Sequence, residues 1–357
     1  MQGASAEVVR RAVDDDEPLP GTAGFAGELD GRLVRDVLGR YPLFADPATG
    51  DWAFDPTELS NPEAVAPGSY VTDDGQRRQW TLPSLEPEQD RRAAVQNVRA
   101  AIRESAATLP RDGKTAVAFS GGVDSALVAA LVDGPCYVVG FPESHDLAQA
   151  RRAAELMDVE LRVVELTTDR LAAAVPAVAE ATGRTNAMDV GIALPLYLVA
   201  EQVAADGYDR LAVGQGADEL FGGYAKVAGA PDDPRVEATT VRAAARELMG
   251  TLPNQLERDV LGLRAAGVEP VAPLLHDAVV AAALRLPGEL LVDGRGERKK
   301  ALRLAARDWL PDAVAFREKK AVQYGSLVAR ELDRLARQAG FKRRLDDHVT
   351  RYVESRV

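Results

Sequence analysis

Over residues 1–85 the apolar positions come in short runs broken by the turn pairs Pro20-Gly21, Asp30-Gly31, Thr49-Gly50, Pro67-Gly68 and Asp74-Gly75. Short apolar or aromatic runs punctuated in this way predict a small sheet with hairpins. The stretch Thr81-Leu82-Pro83-Ser84-Leu85-Glu86-Pro87 holds two prolines and no helical or strand period, which marks a linker. A boundary near residue 86 follows, with residues 1–85 as one domain and 86–357 as the other. From Pro87 to Leu109 the period turns helical, with Ala93, Val95, Val98 and Ile102 on one face.

From residue 113 short apolar strands alternate with helices. Strands are expected over Thr115 to Phe119, Cys136 to Phe141, Val159 to Leu166 and Arg210 to Val213. Helices are expected over Asp124 to Val132, Asp146 to Met157, Asp169 to Ala181 and Gly191 to Ala205. Continuously apolar strands separated by helices imply parallel pairing buried on both faces, so the fold class is α/β. Beyond residue 235 the pattern is helical, with no strand predicted and no internal repeat.

The chain has 357 residues, 46% of them hydrophobic and 27% charged, enough for a sizeable core. Its longest apolar runs, such as Cys136 to Phe141, fall short of the roughly 20 residues that cross a bilayer. The first residues offer no apolar secretory run, so the expectation is a cytoplasmic protein without membrane contact. A single cysteine, Cys136, and three histidines exclude an internal disulfide and zinc spacing. The net charge is −12, with −11 of it in residues 1–90 and a basic stretch of +7 in residues 291–357. That basic stretch is small for a nucleic-acid surface, and no nucleic-acid partner is expected. Only seven of the basic residues are lysine, a composition resembling that of halophilic proteins and equally produced by a GC-rich genome.

The strongest chemical signal is Phe119-Ser120-Gly121-Gly122-Val123-Asp124-Ser125, between a predicted strand and helix. Paired glycines let backbone N–H groups converge on an anion, and the helix N-terminus adds partial positive charge. Asp124 makes sense beside phosphate once a divalent cation bridges them. The bland alternative is a glycine turn capped by Ser120 and Asp124. The loop lacks the lysine of a Walker A motif. A second turn, Gly214-Gln215-Gly216-Ala217-Asp218-Glu219-Leu220-Phe221-Gly222-Gly223-Tyr224, also follows a strand, and Glu219 stands where a dinucleotide fingerprint needs glycine. Dehydrogenase chemistry is disfavoured. Asp218 can join Asp124 around one cation if both loops end neighbouring parallel strands.

Together, the SGGVDS and GQGADELFGGY motifs resemble those of the synthetase domain of glutamine-dependent asparagine synthetases and their β-lactam-synthetase relatives. The match extends through Val138 to Leu147, Pro195-Leu196-Tyr197 and Arg317-Glu318-Lys319-Lys320. The resemblance implies an ATP-pyrophosphatase fold, a parallel sheet with a helical C-terminal part. It implies an AMP-forming ligase using ATP and Mg²⁺, in which a carboxylate is adenylated, pyrophosphate leaves, and an amine displaces AMP. By position it gives Ser120, Gly121, Gly122 and Ser125 to the pyrophosphate, Asp124 and Asp218 to Mg²⁺, and Lys319 to the departing pyrophosphate. Ala118, Val139 and Gly214 would contact adenosine.

Gly24-Phe25-Ala26-Gly27 and Arg35 to Phe44 resemble the second half of the family's glutaminase domain, so residues 1–85 read as a degenerate remnant of it. The family's glutaminase uses an N-terminal cysteine; Met1 and Gln2 stand here, and Cys136 falls in a predicted core strand. The chain is therefore expected to take ammonia or another amine, with a separate glutaminase as one source. Three departures touch the substrate: Gln215 where glutamate is usual, Gly191 where an arginine of the aspartate-using enzymes aligns, and His276 in the Ala272-Pro273-Leu274-Leu275-His276-Asp277 turn, a helix-start residue rather than a catalyst. The reading is an ATP-dependent amide-forming ligase acting on a small carboxylate, aspartate being the first candidate. Its rivals are modification of another acceptor and a nucleotide-binding regulatory subunit, the latter set against intact Asp124, Asp218 and Lys319. A homodimer is one assembly it would admit.

Overall fold

The alternation of apolar strands and helices that begins near residue 115 builds the parallel sheet that carries the first loop. The computed structural model describes all residues except Asp73, 230–238, 318–326 and 344–346. In chain order, α1 (Ala6–Asp14) precedes the short strands β1 (Ala26–Leu29), β2 (Arg32–Arg35), β3 (Phe44–Ala45), β4 (Trp52–Ala53), β5 (Glu63–Ala64), β6 (Ser69–Thr72) and β7 (Gly75–Arg78). Then come α2 (Arg91–Ala107), β8 (Thr115–Ala118), α3 (Val123–Leu131), β9 (Cys136–Gly140), α4 (His145–Met157), β10 (Leu161–Glu165), α5 (Thr168–Thr182), α6 (Ala187–Ala205) and β11 (Arg210–Ala212). The rest is α7 (Ala217–Leu220), α8 (Ala225–Gly229), α9 (Val241–Met249), α10 (Leu252–Ala265), β12 (Glu269–Val271), α11 (Asp277–Leu284), α12 (Gly288–Leu291), α13 (Lys300–Ala306), α14 (Asp312–Ala315), α15 (Val328–Gln338) and α16 (His348–Glu354).

The chain divides into two compact units, and the division does not follow residue 86. One unit takes Pro110–Gly214, Arg258–Val271 and Arg307–Val357; the other takes Met1–Leu109, Gln215–Glu257 and Ala272–Ala306.

The first of these units is built on a sheet of order β10-β9-β8-β11-β12, every neighbouring pair parallel. β9 is buried along its whole length, as its unbroken apolar run requires. The chain winds outward from β8 through β9 to β10, then returns to lay β11 on the other side of β8. Adjacent strands at such a reversal leave a crevice at their carboxyl ends, where open parallel sheets bind ligands. β12 is a strand the sequence did not predict. Pro270 interrupts its pattern and is tolerated because β12 pairs only with β11, at the sheet edge. α6 is long and apolar enough to cross a membrane by length and composition, although the sequence predicted no such span. It packs on α5, β9 and β11 and buries Val190, Leu194, Leu198 and Val203, the role of a core helix.

In the other unit, β1-β2-β6-β7 form an antiparallel sheet and β4-β3-β5 a second small one, as the turn spacing predicted. α1 was not expected; Ser5 caps it, and it buries only Val9 and Ala12. α2 buries Ala94, Val95, Val98, Ala101 and Ile102 against α11 and α13. Phe25, Leu38, Leu43 and Phe44 are all buried; Leu43 sits in a cluster with Ala26, Leu33 and Val65, and Phe25 meets the Trp80 ring edge-on at 5.6 Å.

Candidate active site

The first loop leaves β8 and turns through Gly121 at φ +71°. A Cβ there would stand 2.9 Å from the Gln149 carbonyl oxygen and 3.0 Å from the Ala153 Cβ, so only glycine lets the loop lie flat on α4. Gly122 is the N-cap of α3 and supplies no side-chain acceptor to its first turn. Neither Ser120 nor Asp124 caps the helix, which removes the bland alternative. Instead the Ser125 hydroxyl accepts from the Ser120 N–H at 3.1 Å and donates to the Gly122 carbonyl at 3.2 Å. The Ser120 hydroxyl lies 3.2 Å from it. The serines fix the loop, and the N-terminal N–H groups and dipole of α3 are left to an anion.

Asp124 is buried in the first turn of α3. Gly214, just past the end of β11, approaches that turn closely: a Cβ on it would lie 3.0 Å from the Asp124 Cβ and 3.2 Å from the Ser125 nitrogen. Ala118 is half-buried at the end of β8, and Val139 lies two residues past its pairing partner Tyr137 in β9. The structure thus brings Ala118, Ser120, Gly121, Gly122, Asp124, Ser125, Val139 and Gly214 to the carboxyl end of one sheet. Arg317 donates to the Gln149 carbonyl at 3.2 Å, the oxygen against which Gly121 lies. Burial first, then the charge of Arg152, pushes its guanidinium pKa down. Lys319 lies outside the described residues.

Gln215 and Asp218 belong to the other unit. Gly216 takes φ +83° and admits no Cβ because the Leu275 side chain fills that space. Glu219 is buried and accepts from the Tyr224 hydroxyl at 2.6 Å. Burial pushes its carboxyl up, against the Tyr224 hydrogen bond. Asp218 is one-third exposed and pairs through Oδ1 with the buried Lys299 ammonium at 2.7 Å. Arg298 donates to the Gly223 carbonyl at 2.6 Å. Lys299 and Arg298 were not picked out from the sequence; the available signal was Arg298-Lys299-Lys300, two adjacent lysines in a chain with seven.

Among the described residues no three His, Cys, Asp or Glu side chains gather as a metal cluster. Mg²⁺ takes one or two carboxylates and draws its remaining ligands from water and phosphate. The residues fit the ion one by one: Asp124 beside the anion-ready turn of α3, Asp218 with an exposed edge.

His276 caps α11, accepting from the Ala278 N–H at 3.2 Å, and is buried with its pKa lowered by desolvation. Cys136 is buried in β9, its thiol pushed up to about 12 chiefly by burial. We expect it to resist a disulfide reagent at pH 8 in the folded protein and to react on unfolding, as thiol titration in and out of denaturant would show. Full reaction in the native state would refute that burial.

The family model described as asparagine synthase matches residues 97–261 and 230–355. A protein of Methanocaldococcus jannaschii assigned as a glutamine-hydrolysing asparagine synthetase is 33% identical over 272 residues, covering 66% of this chain and 50% of its own length. Asparagine synthetase B of Escherichia coli is 25% identical over 351 residues, covering 88% of this chain and 62% of its own. The chain thus spans about half to three-fifths of these relatives. A U34-tRNA thiolase of Methanococcus maripaludis shows 12% identity and a TM-score of 0.31 over 74% of this chain and 78% of its own, too slight to bear on the fold.

Proposed function

This chain belongs to the asparagine synthase family, and from that premise we propose that it is an ATP-dependent, AMP-forming ligase that joins nitrogen to a small carboxylate. The observation that carries the reading is the α3 N-terminus, whose N-cap Gly122 offers no side chain and follows Gly121 in the left-handed region that favours glycine. In the proposed reaction a substrate carboxylate oxygen attacks the α-phosphorus of ATP and the bond to the β-phosphate oxygen breaks. The nitrogen lone pair then attacks the acyl carbon, the bond to AMP breaks, and the amine gives up a proton.

Backbone N–H groups at Gly121, Gly122 and the first turn of α3 are proposed to bind the pyrophosphate oxygens, and the Ser120 and Ser125 hydroxyls, assigned there by resemblance, would turn to them from the hydrogen bonds that hold the loop. Asp124 and Asp218 are the proposed holders of Mg²⁺, each argued from its own surroundings. When bound, the ion neutralises phosphate charge that would otherwise repel the incoming carboxylate. Ala118, Val139 and Gly214 offer backbone to adenosine, and Lys319 is assigned to the pyrophosphate by resemblance alone. Gln215 can orient the amine by hydrogen bonding but cannot take its proton.

One observation favours an acceptor other than aspartate: Gly191 supplies no guanidinium, and a Cβ there would meet only Leu332, at 3.9 Å. Gln215 bears instead on the amine, from whose side it removes a carboxylate. Exchange of labelled pyrophosphate into ATP over a panel of carboxylic acids, aspartate first, tests the proposal: exchange dependent on one acid names the acceptor. No exchange with any acid, in a protein that binds ATP, would favour the regulatory-subunit reading.

The nitrogen is proposed to arrive as ammonia or another amine, with a separate glutaminase as one source, because the one thiol of this chain is sealed in β9. Glutamate released from glutamine by this chain alone would refute it. A cytoplasmic address and a homodimer remain part of the proposal.

A further inference from the structure

We propose that Lys299 is a positioning residue for Asp218, holding one carboxylate oxygen so that the other is presented to a divalent cation. This rests on reading Asp218 as a magnesium ligand. Lysine is rarely buried unless paired, and Lys299 is 3% exposed with its ammonium 2.7 Å from Asp218 Oδ1. Asp218 itself remains one-third exposed, so the pair is reached by solvent from the Asp218 side.

Three further features are built around this pair. A Cβ on Gly223 would collide with both Asp218 Oδ1 and Lys299 Cε, although Gly223 does not occupy the left-handed region. The glycine thus lies directly on the pair, and a side chain at this position would displace the Asp218 carboxylate or the Lys299 stem. The Gly223 N–H donates to the Asp218 carbonyl at 2.7 Å, and the Gly223 carbonyl accepts from Arg298 at 2.6 Å, so the turn is tied to Asp218 and to the residue before Lys299. Lys299 takes φ +60°, a strained region for lysine that persists when the surroundings dictate it. Its neighbour Lys300 turns instead to Asp293 and Glu297.

A charge-assisted hydrogen bond to one oxygen fixes the carboxylate's rotation. Mg²⁺ demands near-ideal octahedral geometry, so a fixed second oxygen raises its affinity. If Lys299 were merely a rival cation for Asp218, its removal would instead tighten metal binding.

The test is Mn²⁺ binding to the full chain, followed by electron paramagnetic resonance in the presence of α,β-methylene-ATP, which cannot be adenylated onto a substrate. Lys299→Met is expected to weaken Mn²⁺ about tenfold, the scale of losing a partner that orients a ligand. Lys299→Gln, which keeps a donor, should recover most of that loss, and metal-free nucleotide affinity should hold. A purely structural role would lower the melting temperature and leave Mn²⁺ affinity untouched. If Lys299→Met does not fold, Gly223→Ala, which drives a methyl into the pair, should weaken Mn²⁺ likewise; unchanged affinity there overturns the proposal. Asp218→Asn separates the two levels. If it fails to weaken Mn²⁺, the ligand reading falls and the proposal with it. If it weakens Mn²⁺ while Lys299→Met leaves it unchanged or tighter, the ligand reading stands and the positioning role is overturned.

Discussion

Asp124→Asn is expected to lower the rate of pyrophosphate release by about 100- to 1,000-fold without moving the melting temperature, a loss of roughly 3–4 kcal/mol of transition-state stabilisation. The warrant is position. Asp124 is buried in the first turn of α3, where the helix N-terminus tolerates a carboxylate and where the phosphate-ready N–H groups begin. Asparagine keeps the shape and loses the charge that would hold Mg²⁺ against phosphate. Asp218→Asn should cut pyrophosphate release to a similar degree but also melt earlier, because it removes the carboxylate charge that faces the buried Lys299 ammonium at 2.7 Å. The pair of variants is best compared well below both melting points, by single-turnover assay at several Mg²⁺ concentrations. Near-normal turnover in Asp124→Asn would defeat its assignment as a ligand.

The parallel sheet and the phosphate loop were legible in the sequence because their signals are local. A short apolar run followed by Ser-Gly-Gly and a helix needs no distant partner to be read, and β8, the loop and α3 fall within a few residues of their expected bounds. β12 was not legible, since three residues with a central proline look like a loop until β11 lies beside them. α1 hid for a related reason: only Val9 and Ala12 are buried, too few for an amphipathic stripe to stand out among charges.

What escaped most completely was pairing across the chain. Lys299 falls within the basic stretch of residues 291–357, and nothing in the order of residues says that its ammonium reaches Asp218. The boundary at residue 86 was drawn from composition, whereas compactness depends on contact. Proline-rich spacing marks where the chain changes style, but Met1–Leu109 share one unit with Gln215–Glu257 and Ala272–Ala306. The Arg35-to-Phe44 stretch buries Leu38, Leu43 and Phe44, and it adds a charged clamp that the sequence did not announce.

That clamp yields the second large effect: Arg40→Met should destabilise the protein by about 3–5 kcal/mol, the usual cost of removing one partner from a buried ion pair. Arg40 is buried, donates to Asp36 at 2.9 Å and to the Leu275 carbonyl at 2.7 Å, and pairs with Asp277 at 2.7 Å. Asp277, at the start of α11, also accepts from the Thr22 N–H at 2.8 Å and its hydroxyl at 3.0 Å. Methionine would fill the space of the stem and leave two carboxylates, Asp36 and Asp277, buried without their cation. Against the roughly 5–15 kcal/mol of an ordinary domain, this is enough to unfold a large share of the molecules on mild heating. Urea unfolding followed by fluorescence should show the midpoint falling with an unchanged slope. The double variant Arg40→Met/Asp277→Asn should recover part of the loss, because it removes one stranded charge. Deleting residues 1–85 removes Arg40 and Thr22 together with Phe25, Leu38, Leu43 and Phe44, and the remaining chain is expected to aggregate. A midpoint for Arg40→Met close to that of the parent protein would show that the clamp contributes little and that apolar contact alone holds residues 1–85 to their unit.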